Sequence, residues 1–170
     1  MKLISHKSGN LPKKIQIKIL KLKKEYWKYD LKSQSDWFKN NILINDIHNC
    51  LFFKKILAGY TCLRKRKLIQ SKRKIPFLLF DTLIIKKKYQ KNRFGKNIMK
   101  FNNKIIKKKN CPSYLLTTKK NISFYLKNDW KIINRSFTFK NHKVNKDKIL
   151  MGFNLKKHKI KKKGRLTFVI

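Results

Sequence analysis

The stretch "KIPFLLFDTLIIKK", Lys74 to Lys87, runs into a polar, basic loop, "YQKNRFG", and an amphipathic segment leaves that loop. The apolar run reads as a long strand, with Pro76 near its start, where proline is tolerated. After the loop, Phe94, Ile98, Phe101 and Ile105 step by four, three and four, which predicts a helix to about Lys107. A strand that turns directly into a helix presents free backbone amides at the positive end of the helix dipole. That is an anion site in outline. Lys91, Arg93 and Lys96 add charge, and Gly95 allows close backbone approach. A single glycine excludes Walker-type and dinucleotide-type phosphate loops.

Composition narrows the class without naming a partner. At 170 residues, 41% of them apolar, the chain reads as one domain with a proper core. No apolar run approaches the ~20 residues of a membrane span. The start, "MKLISHKSGNLPKK", lacks the apolar centre of a signal peptide. Three cysteines (Cys50, Cys62, Cys111) without paired metal spacing favour reduced thiols in the cytoplasm. The net charge of +40 ordinarily reads as nucleic-acid binding. Here the cations are almost all lysine. Arginine, the better residue for bidentate phosphate and base contacts, counts six, and alanine occurs once. Lys, Asn and Ile share AT-rich codons, so base composition explains the charge as well as a polyanion does.

Periodicity then orders the elements. "KIQIKIL", Lys14 to Leu20, alternates and predicts a first strand. One or two short helices follow to about Leu43, with Ser33 or Ser35 as cap. "HNCLFFKKILAGYTCLRKRKLI" predicts two strands joined near Lys54 and Lys55, with Gly59 at a bulge or close approach. Then come the long strand, the loop and its helix, "SYLLTT" as a strand, a short helix capped by Asn121, and two closing strands, "WKIINRSFTFK" and "KILMGFN". The boundaries expected are a polar lead-in (1–13), one α/β domain (14–155) and a basic C-terminal segment (156–170). The domain should hold a mixed, mostly antiparallel central sheet flanked by helices.

With that order on the page, the chain resembles the GNAT superfamily of acyl-CoA-dependent N-acetyltransferases. Their central motif is a strand, Gln/Arg-x-x-Gly-x-Gly/Ala and a helix; later come a strand and a helix with an Asn followed by "FYxKxGF". Here stand Gln90-Lys91-Asn92-Arg93-Phe94-Gly95 and, downstream, Asn121, Phe124-Tyr125, Lys127 and Trp130. "ILAGYTCL" is similar to the strand that often reads "x-V-G-x-x-x-L". The likeness spans roughly Ile15 to Phe139. Two positions depart from it: Arg93 replaces the first glycine, and Asp129 replaces the glycine before the closing aromatic.

The resemblance implies acetyl-CoA as co-substrate, with its pyrophosphate on Gln90, Lys91, Asn92, Arg93, Phe94, Gly95 and Lys96. It implies strands splayed beyond Leu83, Ile84, Ile85 and Lys87, where the pantetheine arm pairs with backbone, and a contribution from Asn121. Tyr125 aligns with the tyrosine beside the thioester sulfur. Asp81, a carboxylate in the most apolar stretch, is either a structural ion pair or the base that deprotonates the substrate ammonium. "NDIHN" has no third metal ligand at sensible spacing, so His48 reads as a strand-edge residue or one lining the amine pocket. The expected function is acetyl transfer to a primary amine of a small molecule (an amino sugar is one candidate) or a peptide. The alternatives are a nucleic-acid- or ribosome-associated basic protein, and a relative that binds CoA without turnover. Homodimerisation is left open.

Overall fold

Ile15, Ile17 and Ile19 satisfy a strand template, but Leu22 decides against it. Ile15, Ile19 and Leu22 share one helical face, and the latter two are buried while Ile17 is 44% exposed. Lys13–Lys24 is therefore helix α1, not the strand expected over Lys14 to Leu20. Pro12 precedes it, and its carbonyl accepts the first helical amides, from Ile15 at 2.8 Å and Gln16 at 3.0 Å. The initial strand lies upstream: Lys2–Lys7, inside the lead-in read as merely polar, is β1.

The computed structural model describes residues 1–70, 72–140, 143–155, 160 and 164–170. They form two compact units, residues 1–64 with 81–102, and 65–80 with 103–170. In the first unit β1 pairs antiparallel with β2 (Ile47–Phe53), and β2 with β3 (Ile56–Gln70). The hairpin turn falls on Lys54 and Lys55, at φ 47° and 65°, the left-handed pair that matches strand twist. The register slips between Leu51 and Phe52, opposite Gly59, so the bulge expected there is present. A Cβ on Gly59 would meet the Ile85 side chain at 2.7 Å.

β4 (Arg73–Ile85) follows as expected, and its last residues belong to the first unit. Both sheet faces there are covered, which is why the strands read as nearly continuous apolar runs. Ile19 and Leu22 of α1 pack with Cys50, Leu57, Tyr60, Cys62 and Ile84. Ile98 of α3 (Phe94–Lys108) packs with Leu51 and Ala58, joined by Leu83 and Ile85. Helix α2 is Leu31–Asn41, and its cap is Asp30 rather than Ser33 or Ser35: the Asp30 carboxylate accepts from the Ser33 amide at 2.7 Å. His48 is fully buried on β2, paired on both sides by β1 and β3, and so is no edge residue.

In the second unit β4 pairs in parallel with β5 (Ser113–Thr117) at two positions, Leu78 to Ser113 and Leu79 to Tyr114. On its other side β5 pairs antiparallel with β8 (Ile149–Phe153) along its whole length. Between them come α4 (Ile122–Leu126), β6 (Lys131–Ile132) and β7 (Phe137–Phe139). The expected strand over "WKIINRSFTFK" is thus two strands. β6 pairs with β8, whereas β7 pairs in parallel with β9 (Leu166–Val169). The expected basic C-terminal segment ends in that strand, with Leu166 and Phe168 buried in the core beside Phe77, Tyr114 and Phe139. Residues 156–159 and 161–163 of that segment lie outside the described residues. The class is mixed α/β, with mostly antiparallel sheet flanked by helices, as expected.

Candidate functional site

Backbone, more than side chains, shapes the end of β4. Thr82 sits at φ 60°, a left-handed conformation that a β-branched residue resists at a cost of roughly 1–3 kcal/mol. Beside it, Asp81 places Oδ2 at 3.0 Å from the Arg64 guanidinium, whose second arm donates to the Asn41 carbonyl at 3.0 Å. Asp81 Oδ1 accepts from the Thr82 hydroxyl at 3.3 Å. The apolar surroundings of this carboxylate are therefore met by an ion pair, the structural option raised from sequence.

Asp81 and Thr82 also form one wall of a cleft of about 480 Å³, together with Lys23, Trp27, Tyr29, Ser33, Gln34 and Trp37. The remaining wall comes from the end of α1, the connector to α2 and one face of α2. Lys23 Nζ lies 4.0 Å from the Trp37 ring centroid and 5.7 Å from that of Trp27. Burial holds its ammonium below the ordinary lysine range, and the Asp81 charge partly opposes this. The resemblance implies acceptor specificity in the first helices, Trp27 to His48, a stretch that takes in Trp27, Tyr29, Ser33, Gln34 and Trp37 but leaves out Lys23. The available signal was the four-residue step from Lys23 to Trp27 and the Ser33, Gln34, Trp37 face, which needs the helical register to be visible.

The basic loop is built tightly. Lys87–Tyr89 is a single 3-10 turn, and Tyr89, Phe94 and Phe53 pack as a ring cluster with centroids 5.4–5.5 Å apart, pinning both ends of the loop. Lys91 and Arg93 adopt φ 67° and 58°. Arg93, in the place of the motif's first glycine, thus holds the conformation that glycine favours. The Asn97 amide donates to the Arg93 carbonyl at 3.0 Å, so Arg93 is the helix cap. The amides of Phe94, Gly95 and Lys96 then lack intrahelical acceptors. Gly95 lies within the first turn of α3, not in the loop proper. Three donors at the N-terminus of a 15-residue helix, flanked by exposed Lys91, Arg93 and Lys96, could hold an anion.

Ile85 is the last residue of β4. Its carbonyl accepts from the Tyr26 hydroxyl and from Gln90 Nε2 at 3.2 Å, and Gln90 also donates to the Tyr26 oxygen at 2.7 Å. The neighbouring Lys86 amide donates to the Ala58 carbonyl at 2.8 Å. Both lone pairs of the Ile85 carbonyl are thus engaged within the protein. Ile84 is buried against α1, and Leu83 packs toward α3. Lys87 and Asn92 are exposed.

In the second unit, α4 is short and strongly anchored. Asn121 precedes it in a helical conformation and makes no side-chain cap hydrogen bond, so the expected cap is absent. Asn128, Asp129 and Trp130 close the helix, with Asp129 at φ 68°. Here too a residue in the place of a motif glycine holds a glycine's backbone. Trp130 is buried, its indole donates to Asn103 Oδ1 at 3.1 Å, and it packs against Phe80 and Phe153. Tyr125 is 8% exposed, and burial pushes its hydroxyl up to about 12.

No family model matches the sequence, and no curated protein matches it. Solved structures do. The chain is similar to an acyl-CoA N-acyltransferase from Pseudomonas aeruginosa (12% identity, 89% of this chain and 99% of that one, TM-score 0.67). It is similar to an acetyltransferase of the GNAT family from Staphylococcus aureus Mu50 (18% identity, 91% and 100%, TM-score 0.62). It is also similar to an aminoglycoside 6'-N-acetyltransferase complexed with coenzyme A (13% identity, 90% and 96%, TM-score 0.63). The chain has the fold of the GNAT acetyltransferases.

Proposed function

We propose that this chain is an acetyl-CoA-dependent N-acetyltransferase that moves an acetyl group directly to a primary amine. One observation carries the reading. The two residues that break the family's glycine pattern, Arg93 and Asp129, both keep the left-handed backbone a glycine would supply. A non-glycine residue in that region costs on the order of 1 kcal/mol, and neither side chain is a β-branched or core residue that needs to be there. Both motif positions thus have the backbone that the family's glycines would take.

The amides of Phe94, Gly95 and Lys96, with Lys91 and Arg93, would hold the pyrophosphate of acetyl-CoA, and Gln90, Asn92 and Asn121 are proposed to border it. Bound acetyl-CoA supplies a thioester-activated acetyl group. Leu83, Ile84, Ile85 and Lys87 are proposed for the pantetheine arm. The engagement of the Ile85 carbonyl by Tyr26 and Gln90 then requires those two side chains to yield or other backbone groups to serve.

Tyr125 is the proposed donor to the leaving thiolate. With its hydroxyl at about 12 and a thiol near ~8.5, full proton transfer is uphill by about 5 kcal/mol. The tyrosine therefore acts by hydrogen-bonding to charge as it develops on sulfur. Asp81 is the proposed base, taking the ammonium proton directly or through water, with Arg64 fixing the carboxylate's orientation. The cytoplasm is the proposed compartment, consistent with three free cysteines.

Release of free thiol from acetyl-CoA over a panel of amino sugars, amino acids, polyamines and peptides tests the reading. A parallel thermal-shift comparison of acetyl-CoA with a random oligonucleotide separates it from the basic-protein alternative. Stabilisation by the oligonucleotide alone would sink the acetyltransferase.

A further inference from the structure

We propose that the α1–α2 cleft of the first unit takes an amine whose carrier bears a carboxylate or phosphate, with that anion seated on Lys23 and the carrier's flat part stacked on Trp27 and Trp37. Calling the occupant an acceptor rests on the acetyltransferase reading; the anion preference stands on the cleft itself.

Lys23 is 6% exposed, yet it lines the cleft, and its ammonium makes no hydrogen bond or salt bridge among the described residues. Its neighbours are the faces of Trp27 and Trp37. Cation–π contact compensates a desolvated ammonium only partly, and a buried charge ordinarily has a counter-ion. Asp81 is the one carboxylate among the described lining residues, and its Oδ2 belongs to Arg64. Arg64 in turn lies 5.5 Å from the Trp37 ring, and its Nε is buried without a hydrogen-bond partner. Two cations against one carboxylate leave a local surplus of one positive charge. An incoming anion removes it.

The acids that might have recruited a polycation are occupied elsewhere. Asp30 caps α2, Asp36 pairs with Lys39 at 3.9 Å on the surface, and Asp46 is buried, accepting from the Leu43 amide. None of them lines the cleft. Meanwhile Trp27, Tyr29 and Trp37 are 38%, 63% and 36% exposed, a concentration of open ring surface that suits a flat ligand. Tryptophan faces beside a cation and a paired carboxylate describe a ligand with three parts: an amine, a ring and an anion.

Isothermal titration on the full chain, without acetyl-CoA, uses three probes that share an aromatic ring and a primary amine. Phenethylamine has no anion, phenylalanine adds a carboxylate beside the amine, and O-phosphotyramine adds a phosphate on the ring. At least one anionic probe should bind ten-fold tighter than phenethylamine or better, and which one does so distinguishes carboxylate from phosphate. Lys23→Met, similar in length and removing a buried charge, should bring the ratio within about two-fold; Lys23→Gln repeats the comparison should the Met variant fail to fold. Equal affinities, a preference for phenethylamine, no binding by either anionic probe, or a preference that survives in a folded Lys23 variant would overturn the proposal. Because no acetyl transfer is read, these outcomes leave the acetyltransferase reading to the thiol-release assay.

Discussion

The Trp130 amide donates to the Tyr125 carbonyl at 3.2 Å, and the Asp129 amide to the Leu126 carbonyl at 3.1 Å. Together these close a Schellman end to α4, with Asp129 at the left-handed position where glycine is usual. The accompanying apolar contact is between the same two residues, whose rings lie 6.4 Å apart. Tyr125 is therefore held from both ends of one turn. Asp129→Gly should relieve the strained position and raise the melting temperature by roughly 2–4 °C, the equivalent of about 1 kcal/mol for a chain of this size. Calorimetry checks this, and a lower melting temperature would show that the Asp129 side chain itself stabilises the turn.

At the start of α3, Gly95→Pro removes one of three free amides at a first-turn position where proline is tolerated. Losing one charge-assisted hydrogen bond, about 1.5–3 kcal/mol, should weaken CoA binding 10- to 100-fold while helical circular dichroism is retained. Undiminished affinity in the folded variant would remove the cradle from the mechanism.

For Tyr125, substitution by Phe keeps the ring packing with Phe80 and Trp130 and deletes only the hydroxyl. Turnover should fall about 10- to 1000-fold with CoA affinity within a factor of two, the mark of an interaction made as charge develops. Because burial places the hydroxyl at about 12, the wild-type rate should show no loss from tyrosine ionisation up to pH 10. A limb near pH 9 that vanishes in the Phe variant would contradict this placement.

Asp81→Asn retains an oxygen for Arg64 and loses the base. Acetyl-CoA binding should persist, and turnover should drop about 100-fold or more, most strongly at low pH where the amine is fully protonated. Equal turnover in the two proteins over roughly pH 6 to 9, the range in which a tuned base shows itself, would assign Asp81 to the ion pair alone.

His48 supplies a stability prediction. It is stacked between Phe38 and Tyr60 and bonded to Ser8 at 2.7 Å and Tyr60 at 2.8 Å, and burial lowers it to about 4 against an ordinary 6.5. The unfolded chain binds the proton first, so stability is fully present above pH 6.5 and is lost as pH falls toward 4. At about 1.4 kcal/mol per pH unit, the loss is roughly 3 kcal/mol at most. Urea unfolding at pH 7 and 4.5 should show this fall in the wild type and a flatter response in His48→Gln. An equal fall in both would place the acid sensitivity elsewhere.

Wherever a local rule had one solution, the sequence alone determined the structure: the strand through Phe77 to Ile85, the helix opened at Phe94 by its three- and four-residue steps, and the hairpin at Lys54 and Lys55. The order of strand, basic loop and helix was legible for the same reason, whereas the roles of the loop and of Tyr125 came only from the resemblance, since basic turns and helical aromatics have many other uses. Tertiary structure decided what periodicity left degenerate. Ile15 and Ile19 fit both a strand and a helix until burial at Leu22 settled it, and Lys2–Lys7, too polar to signal a strand, forms one because β2 offers it an open edge. It alone revealed that Arg93 and Asp129 hold the glycine conformation, because φ is a property of the backbone that residue identity only biases. It also produced the cleft: Lys23, Trp27 and Trp37 meet through the packing of α1 on α2, and Asp81 acquires its partner from Arg64, seventeen residues earlier on β3. Charge pairs and cavities depend on distances through space, and a linear pattern contains no such distances.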